Sequence, residues 1–209
     1  AADGSVVGHA YDAAGRMTAS TRHATRIDTS GIAAAWAMAA SNEAPNAAWV
    51  AARLQPATGQ DRATRTVFDG DGRARYQIDA RGFVSETTFD GNGNAVRQVR
   101  YATAIALTGS PTTAQVAAAL AANGPHANDR VWQAVFDAAN RPIWTVDAAG
   151  YVTQQTYDAG GNAVRSTRYA LRYAGAADAA SLAAWTAAVP AGEQRTTQTL
   201  FDALGRAVF

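Results

Sequence analysis

The chain has 209 residues, 48% of them hydrophobic and 17% charged. That is enough apolar content for a sizeable core and too little charge for wholesale disorder. Its 18 basic and 17 acidic side chains leave a formal net charge of +1, without the excess that marks a nucleic-acid binder or an anionic-membrane binder. There is no cysteine, so disulfides, thiolate metal sites and cysteine nucleophiles are excluded. The longest apolar run, 32–40, is too short to span a bilayer.

Taken in chain order, residues 9–29 read as a partial repeat around Tyr11-Asp12, Gly15 and Arg16. Residues 30–60 are Ala-rich, and Trp36 with the Trp49, Val50 and Leu54 cluster predicts two short helices split near Pro45. A repeat pair follows over 61–102, built on Phe68-Asp69, Gly72, Phe89-Asp90 and Gly93, with a shorter relative at Asp79 and Gly82 between them. A second insert spans 103–128. Ser110-Pro111-Thr112-Thr113 predicts a helix cap with Pro at the first helical position, and Asn123-Gly124-Pro125 predicts the stop. The next pair, 129–170, carries Phe136-Asp137, Asn140, Tyr157-Asp158 and Gly161, with Asp147 and Gly150 between. A third insert, 171–194, predicts a helix capped by Asp178 that carries Leu182, Trp185 and Val189. Residues 195–209 hold a last partial repeat at Phe201-Asp202 and Gly205.

The repetition is specific. Within a pair the aromatic recurs after 21 residues, and between pairs after 68; residues 68–102 and 136–170 align without a gap and are identical at 17 of 35 positions. Asp-x-x-Gly between alternating segments predicts a turn, in which the Asp carboxylate accepts backbone hydrogen bonds and Gly or Asn takes the left-handed conformation that makes a bulge. The turns fall every 10 or 11 residues, leaving strands of ordinary length. Ala74, Tyr76 and Ile78 share one face of their strand, and so do Pro142, Trp144 and Val146, where Pro142 predicts an edge or a bulge. The fold class is therefore mainly β: an antiparallel hairpin-repeat array with short helical inserts. Such units cannot close their own cores, so neighbouring repeats, of the same chain or of identical chains, are the first expected partners. The chain opens and stops in mid-unit, and is expected to be a segment of a longer array.

The segments "YDAAGRMTAS", "FDGDGRARYQIDARGFVSETTFDGNGNAV", "FDAANRPIWTVDAAGYVTQQTYDAGGNAV" and "FDALGRAVF" resemble the YD-repeat, or Rhs (rearrangement hot spot), family. The resemblance covers about half of the chain; the helical inserts depart from the simple continuous repeat. It implies a β-ribbon spiralling into a hollow shell, around a toxic domain in bacterial members or displayed for adhesion in teneurin-like ones. It implies a structural, non-enzymatic role, a secreted or cell-surface location, and an enclosed toxin domain as a partner. The Asp-Pro motif of the self-cleaving regions of bacterial members is absent. The alternative is an adhesion or fibre module whose repeats stack end to end.

No catalytic, cofactor or metal residues are expected. There is no Lys for a phosphate loop, and no Gly-x-Ser-x-Gly elbow. Asp90, Asn92 and Asn94 match the start of a calcium loop, but Ala95 and Tyr101 stand where Gly and Glu should be. The three histidines have no ligand spacing. One surface candidate stands out: Arg97, Arg100 and Tyr101, with their repeat equivalents Arg165, Arg168 and Tyr169, read as an arginine–aromatic surface for a glycan or a protein cargo.

Overall fold

The computed structural model describes residues 3–31, 47–57 and 59–208. Eleven antiparallel strands follow one another in chain order as a single meander. They are β1 (Val7–Tyr11), β2 (Met17–Arg22), β3 (Arg62–Phe68), β4 (Ala74–Ile78), β5 (Val84–Phe89), β6 (Ala95–Arg100), β7 (Arg130–Phe136), β8 (Pro142–Val146), β9 (Tyr151–Tyr157), β10 (Ala163–Arg172) and β11 (Gln194–Gln198). Helix α1 (Ala47–Ala51), α2 (Thr113–Asn123) and α3 (Ala179–Ala188) lie in the three inserts. The mainly β expectation holds. Trp36 and Pro45, on which part of the first insert was read, lie outside the described residues.

The chain divides into two compact units: Ala1–Val84 with Ala104–Ala122, and Ser85–Thr103 with Asn123–Phe209. In the first, the buried apolar side chains are Val67, Tyr76, Ile78 and Val84 from the strands, and Ile105, Val116 and Leu120 from the second insert. In the second, Val146, Val152 and Tyr169 of the sheet pack with Leu182 and Val189 of the third insert. Trp185 stands edge-on to both Tyr169 and Tyr173, at ring-centroid distances of 5.5 and 5.3 Å. The second and third inserts therefore cover apolar sheet faces with their own buried side chains, and the strand alternation dictates which face that is.

The helix termini follow from local chemistry. Asp178 accepts a hydrogen bond from the Ser181 backbone N–H and starts α3 as expected. At α2 the expected cap shifts. Thr112 is the cap, its hydroxyl accepting from the Gln115 N–H while the Gln115 side chain accepts from the Thr112 N–H. That reciprocal box places Pro111 outside the helix rather than at its first position.

The six aromatic-Asp turns share one construction. At Asp69, the Asp N–H bonds to the Arg73 carbonyl and the Gly72 N–H to the Asp69 carbonyl; the carboxylate accepts from the Asp71 and Arg73 N–H groups and from the Arg73 guanidinium. At the fourth copy Asn140 replaces Gly with φ 60°, the one non-Gly residue at positive φ among those described; asparagine tolerates this conformation better than other side chains. A bulge precedes the turn, between Val67 and Phe68 and between Val135 and Phe136. Pro142 pairs with Phe136 at the second of these, which is how proline fits an interior strand.

Candidate functional site

The aromatic-Asp turns lie at one edge of the meander, because they join β1 to β2, β3 to β4, and so on. Neighbouring turns are tied together. The Arg16 guanidinium stacks over Phe68 at 4.5 Å, and Arg141 over Tyr157 at 4.6 Å. Asn94 donates to the Asn140 side chain at 2.8 Å. The sixth motif position thus serves two turns: it closes its own and reaches the next. In the two arginine cases the aromatic of the next turn is the platform for that reach. Tyr11, by contrast, is exposed, and the Phe201 turn closes through a single bridge, Phe201 to Ala207.

These turns hold their carboxyls below the ordinary carboxylate range. For Asp12, Asp69 and Asp202 the first cause is the backbone N–H four residues on; for Asp90, Asp137 and Asp158 it is the side chain there. The Asp90 carboxylate, where a calcium loop would begin, instead accepts from the Asn92 and Asn94 backbones and the Asn94 side chain. A depressed folded pKa contributes stability above the unfolded value, and that contribution is lost as pH falls through the folded one. At the other end of the scale, burial and then the Glu86 carboxylate push the Tyr101 hydroxyl up to about 12. A raised value contributes stability that is complete below the unfolded pKa of about 10 and is lost as pH rises toward the folded one. The melting temperature is therefore expected to be flat near neutrality, to fall below pH ~4 and to fall again above pH ~10. Scanning calorimetry across pH checks both limbs, and a melting temperature unchanged at pH ~3 removes the turn carboxylates as contributors.

At the opposite edge, the chain that leaves β2, β6 and β10 is fastened by one repeated bond. Ile27 N–H donates to the Gly4 carbonyl, Ile105 to Gly82 and Tyr173 to Gly150, each pair 23 residues apart. Gly4 is thus a third copy of the Gly82 and Gly150 position. The sequence reading missed it, although Gly4 to Ile27 has the same spacing as Gly82 to Ile105.

The six residues proposed from sequence as one surface divide between two faces. Arg97 and Tyr101 sit on the lid side with Glu86, which is only 8% exposed; Tyr101 donates to Glu86 at 2.6 Å and Arg97 approaches it at 3.9 Å. In the equivalent place Tyr169 donates to Gln154 at 2.7 Å and is buried. Tyr169 is therefore covered core and not open surface. Arg165 lies on that side too, and is exposed. Arg100 and Arg168, three residues further on, point to the opposite face, because three is an odd step along a strand.

On that opposite face a different arrangement appears. Arg22 is directly opposite Arg62, Arg100 opposite Arg130, and Arg168 opposite Arg195. All six are exposed. In the second unit a groove of about 730 Å³ is lined by Tyr151, Arg168, Tyr169, Ala170, Glu193 and Arg195, among others. In the first unit a cavity of about 250 Å³ is lined by Ser5, Arg22, His23, Ala24, Gln60 and Arg62, with Arg26 beside them. These two sets correspond residue by residue across the repeat. The smaller cavity also holds an internal pair, His23 Nδ1 to Asp61 at 2.9 Å, and Asp61 accepts from the Ala24 N–H. Asp129 repeats that role on Ala102. Arg22, Arg62, Arg130 and Arg195 were missed from the sequence; the 68-residue spacing links Arg62 to Arg130, and a spacing shorter by three residues hides Arg195.

No family model matches the chain, and no curated protein does. Among solved structures it is similar to part of TcdB2-TccC3-Cdc42, with a TM-score of 0.48 at 15% identity, covering 99% of this chain and 9% of that chain. TcdB2-TccC3 without its hypervariable C-terminal region gives a TM-score of 0.48 at 14% identity, over 96% of this chain and 9% of that one. The Photorhabdus luminescens Tc holotoxin pore, with a mutated TccC3, gives 0.49 at 12% identity, over 99% and 9%. The chain thus spans 9% of the length of each of these proteins.

Proposed function

We propose that this chain is a non-catalytic wall segment of a large, secreted or surface-delivered Rhs-type repeat protein, and that the wall encloses a toxin or other cargo domain of the same polypeptide. The observation that carries the reading is the repeated fastening of the chain after β2, β6 and β10: Ile27 to Gly4, Ile105 to Gly82 and Tyr173 to Gly150. One backbone bond, reused at the same position of the repeat, gives each long unit the same internal construction. Addition of identical steps is what a repeat wall requires, and neighbours supply the core that no unit closes alone.

The test is the native polypeptide. It is expected to be many times longer than this chain, to carry further aromatic-Asp repeats and a separate domain beyond them, and to form closed particles by electron microscopy. Ordered filaments would transfer the segment to the adhesion or fibre alternative. A native product no longer than this chain would overturn the shell reading.

A further inference from the structure

Two arginines placed directly opposite on paired strands repel each other, and sheets ordinarily avoid the arrangement. Here it recurs at one position of the repeat, as Arg22 with Arg62, Arg100 with Arg130 and Arg168 with Arg195. Six of the 18 arginines are committed to it. Among the described residues Arg22, Arg62, Arg100, Arg130 and Arg195 make no side-chain hydrogen bond or ion pair, while Arg168 approaches Asp147 at 3.5 Å. Five of the six are therefore left without a counter-charge among the described residues, and only Arg168 has one, Asp147. Two of the three pairs line cavities, and these are the same place in the repeat. A cross-strand pair sets two planar donor forks a side chain apart, the arrangement that clasps a carboxylate.

We propose that each arginine pair is a carboxylate-binding site, and that the two pairs of the second unit hold one acidic polypeptide segment. Those pairs lie four strands apart, or roughly 19 Å at the usual strand spacing, a span that about six residues of extended chain cover. Isolated pairs at that interval do not track a nucleic-acid backbone, whose phosphates recur several times more closely, and a net charge of +1 supplies no general field for one. In the larger groove Tyr151 adds an aromatic surface, with Arg168 and Arg172 over its ring at 5.8 and 5.6 Å. Glu193 on the groove wall opposes a ligand of continuous negative charge and favours one with spaced carboxylates. That the segment belongs to an enclosed domain rests on the shell reading; the binding itself does not.

The probe is a fluorescein-labelled peptide of alternating Glu and Ser, titrated onto the 209-residue chain at low ionic strength and followed by anisotropy. Saturable binding is expected. Arg168→Gln with Arg195→Gln should weaken it at least threefold, and the same change at Arg100 and Arg130 in addition should weaken it at least tenfold. Arg53→Gln with Arg81→Gln removes two exposed charges outside the pairs and should leave affinity within twofold. The pair variants should melt no lower than the parent, because they relieve repulsion. Absence of binding to the parent chain overturns the proposal, as does an equal loss in the Arg53 and Arg81 variant. So does binding of polygalacturonate in place of the peptide, which would assign the sites to an acidic glycan. A marked fall in melting temperature of the pair variants would make the arginines structural. These outcomes do not depend on the length of the native polypeptide, so the proposal and the shell reading fail separately.

Discussion

Gly82→Val is expected to lower stability by about 2–4 kcal/mol, while Gly70→Ala changes it by no more than ~0.5 kcal/mol. Gly82 has φ 88°, and a Cβ there would meet the Ile105 carbonyl oxygen of the insert it fastens. A β-branched side chain is thus strained by its backbone and blocked by its neighbour at once. Gly70 is not at positive φ and has open space where a Cβ would go. Gly93→Ala separates the two effects, since Gly93 has φ 90° and nothing near its missing Cβ; it should fall between, at about 1 kcal/mol. Chemical denaturation of the three variants gives the order. Equal midpoints would mean that neither the turn conformation nor the insert contact is as described.

Leu182→Ala should cost about 3–4 kcal/mol, the largest effect of a single truncation in the second unit. Leu182 is fully buried in the cluster with Val146, Val152 and Tyr169. The sheet beneath cannot collapse into the space it leaves, so the cavity persists and adds to the lost transfer free energy. Ala184 lies on the exposed side of the same helix, and Ala184→Ser should stay within about 0.5 kcal/mol. Because Trp185 sits between Tyr169 and Tyr173, near-ultraviolet circular dichroism reports whether the helix stays docked. A Leu182→Ala protein with unchanged stability and spectrum would show that α3 is not seated on the sheet.

The parts of this molecule that could be read early are those whose interactions close within a few residues. Asp69 satisfies its partners at Asp71, Gly72 and Arg73, so its turn was visible in the motif. Asp178 and Ser181 behave likewise. The cap at Thr112 was misplaced because Pro111 permits the first helical position without requiring it, and the reciprocal bonds with Gln115 decide the matter. The Arg and Tyr surface was misjudged for a different reason. Arg97 and Arg100 were grouped by closeness in sequence, although strand parity already separates their faces. The covering of Tyr169 by Trp185 needs the insert to fold back, which no local rule predicts.

The amino-acid sequence by itself determined the turns, the strand lengths, the apolar face and the mainly β class, because alternation and Asp-x-x-Gly chemistry act over short spans where little chain entropy opposes them. The tertiary structure decided which strands meet across the inserts. The pairing of β2 with β3, β6 with β7 and β10 with β11 joins residues separated by the inserts, and its register depends on how each insert closes. Only that closure sets Arg22 against Arg62, Arg100 against Arg130 and Arg168 against Arg195. A shift of one residue would send each partner arginine to the other face. The candidate site is therefore a product of long-range register, which the local turn chemistry does not reach.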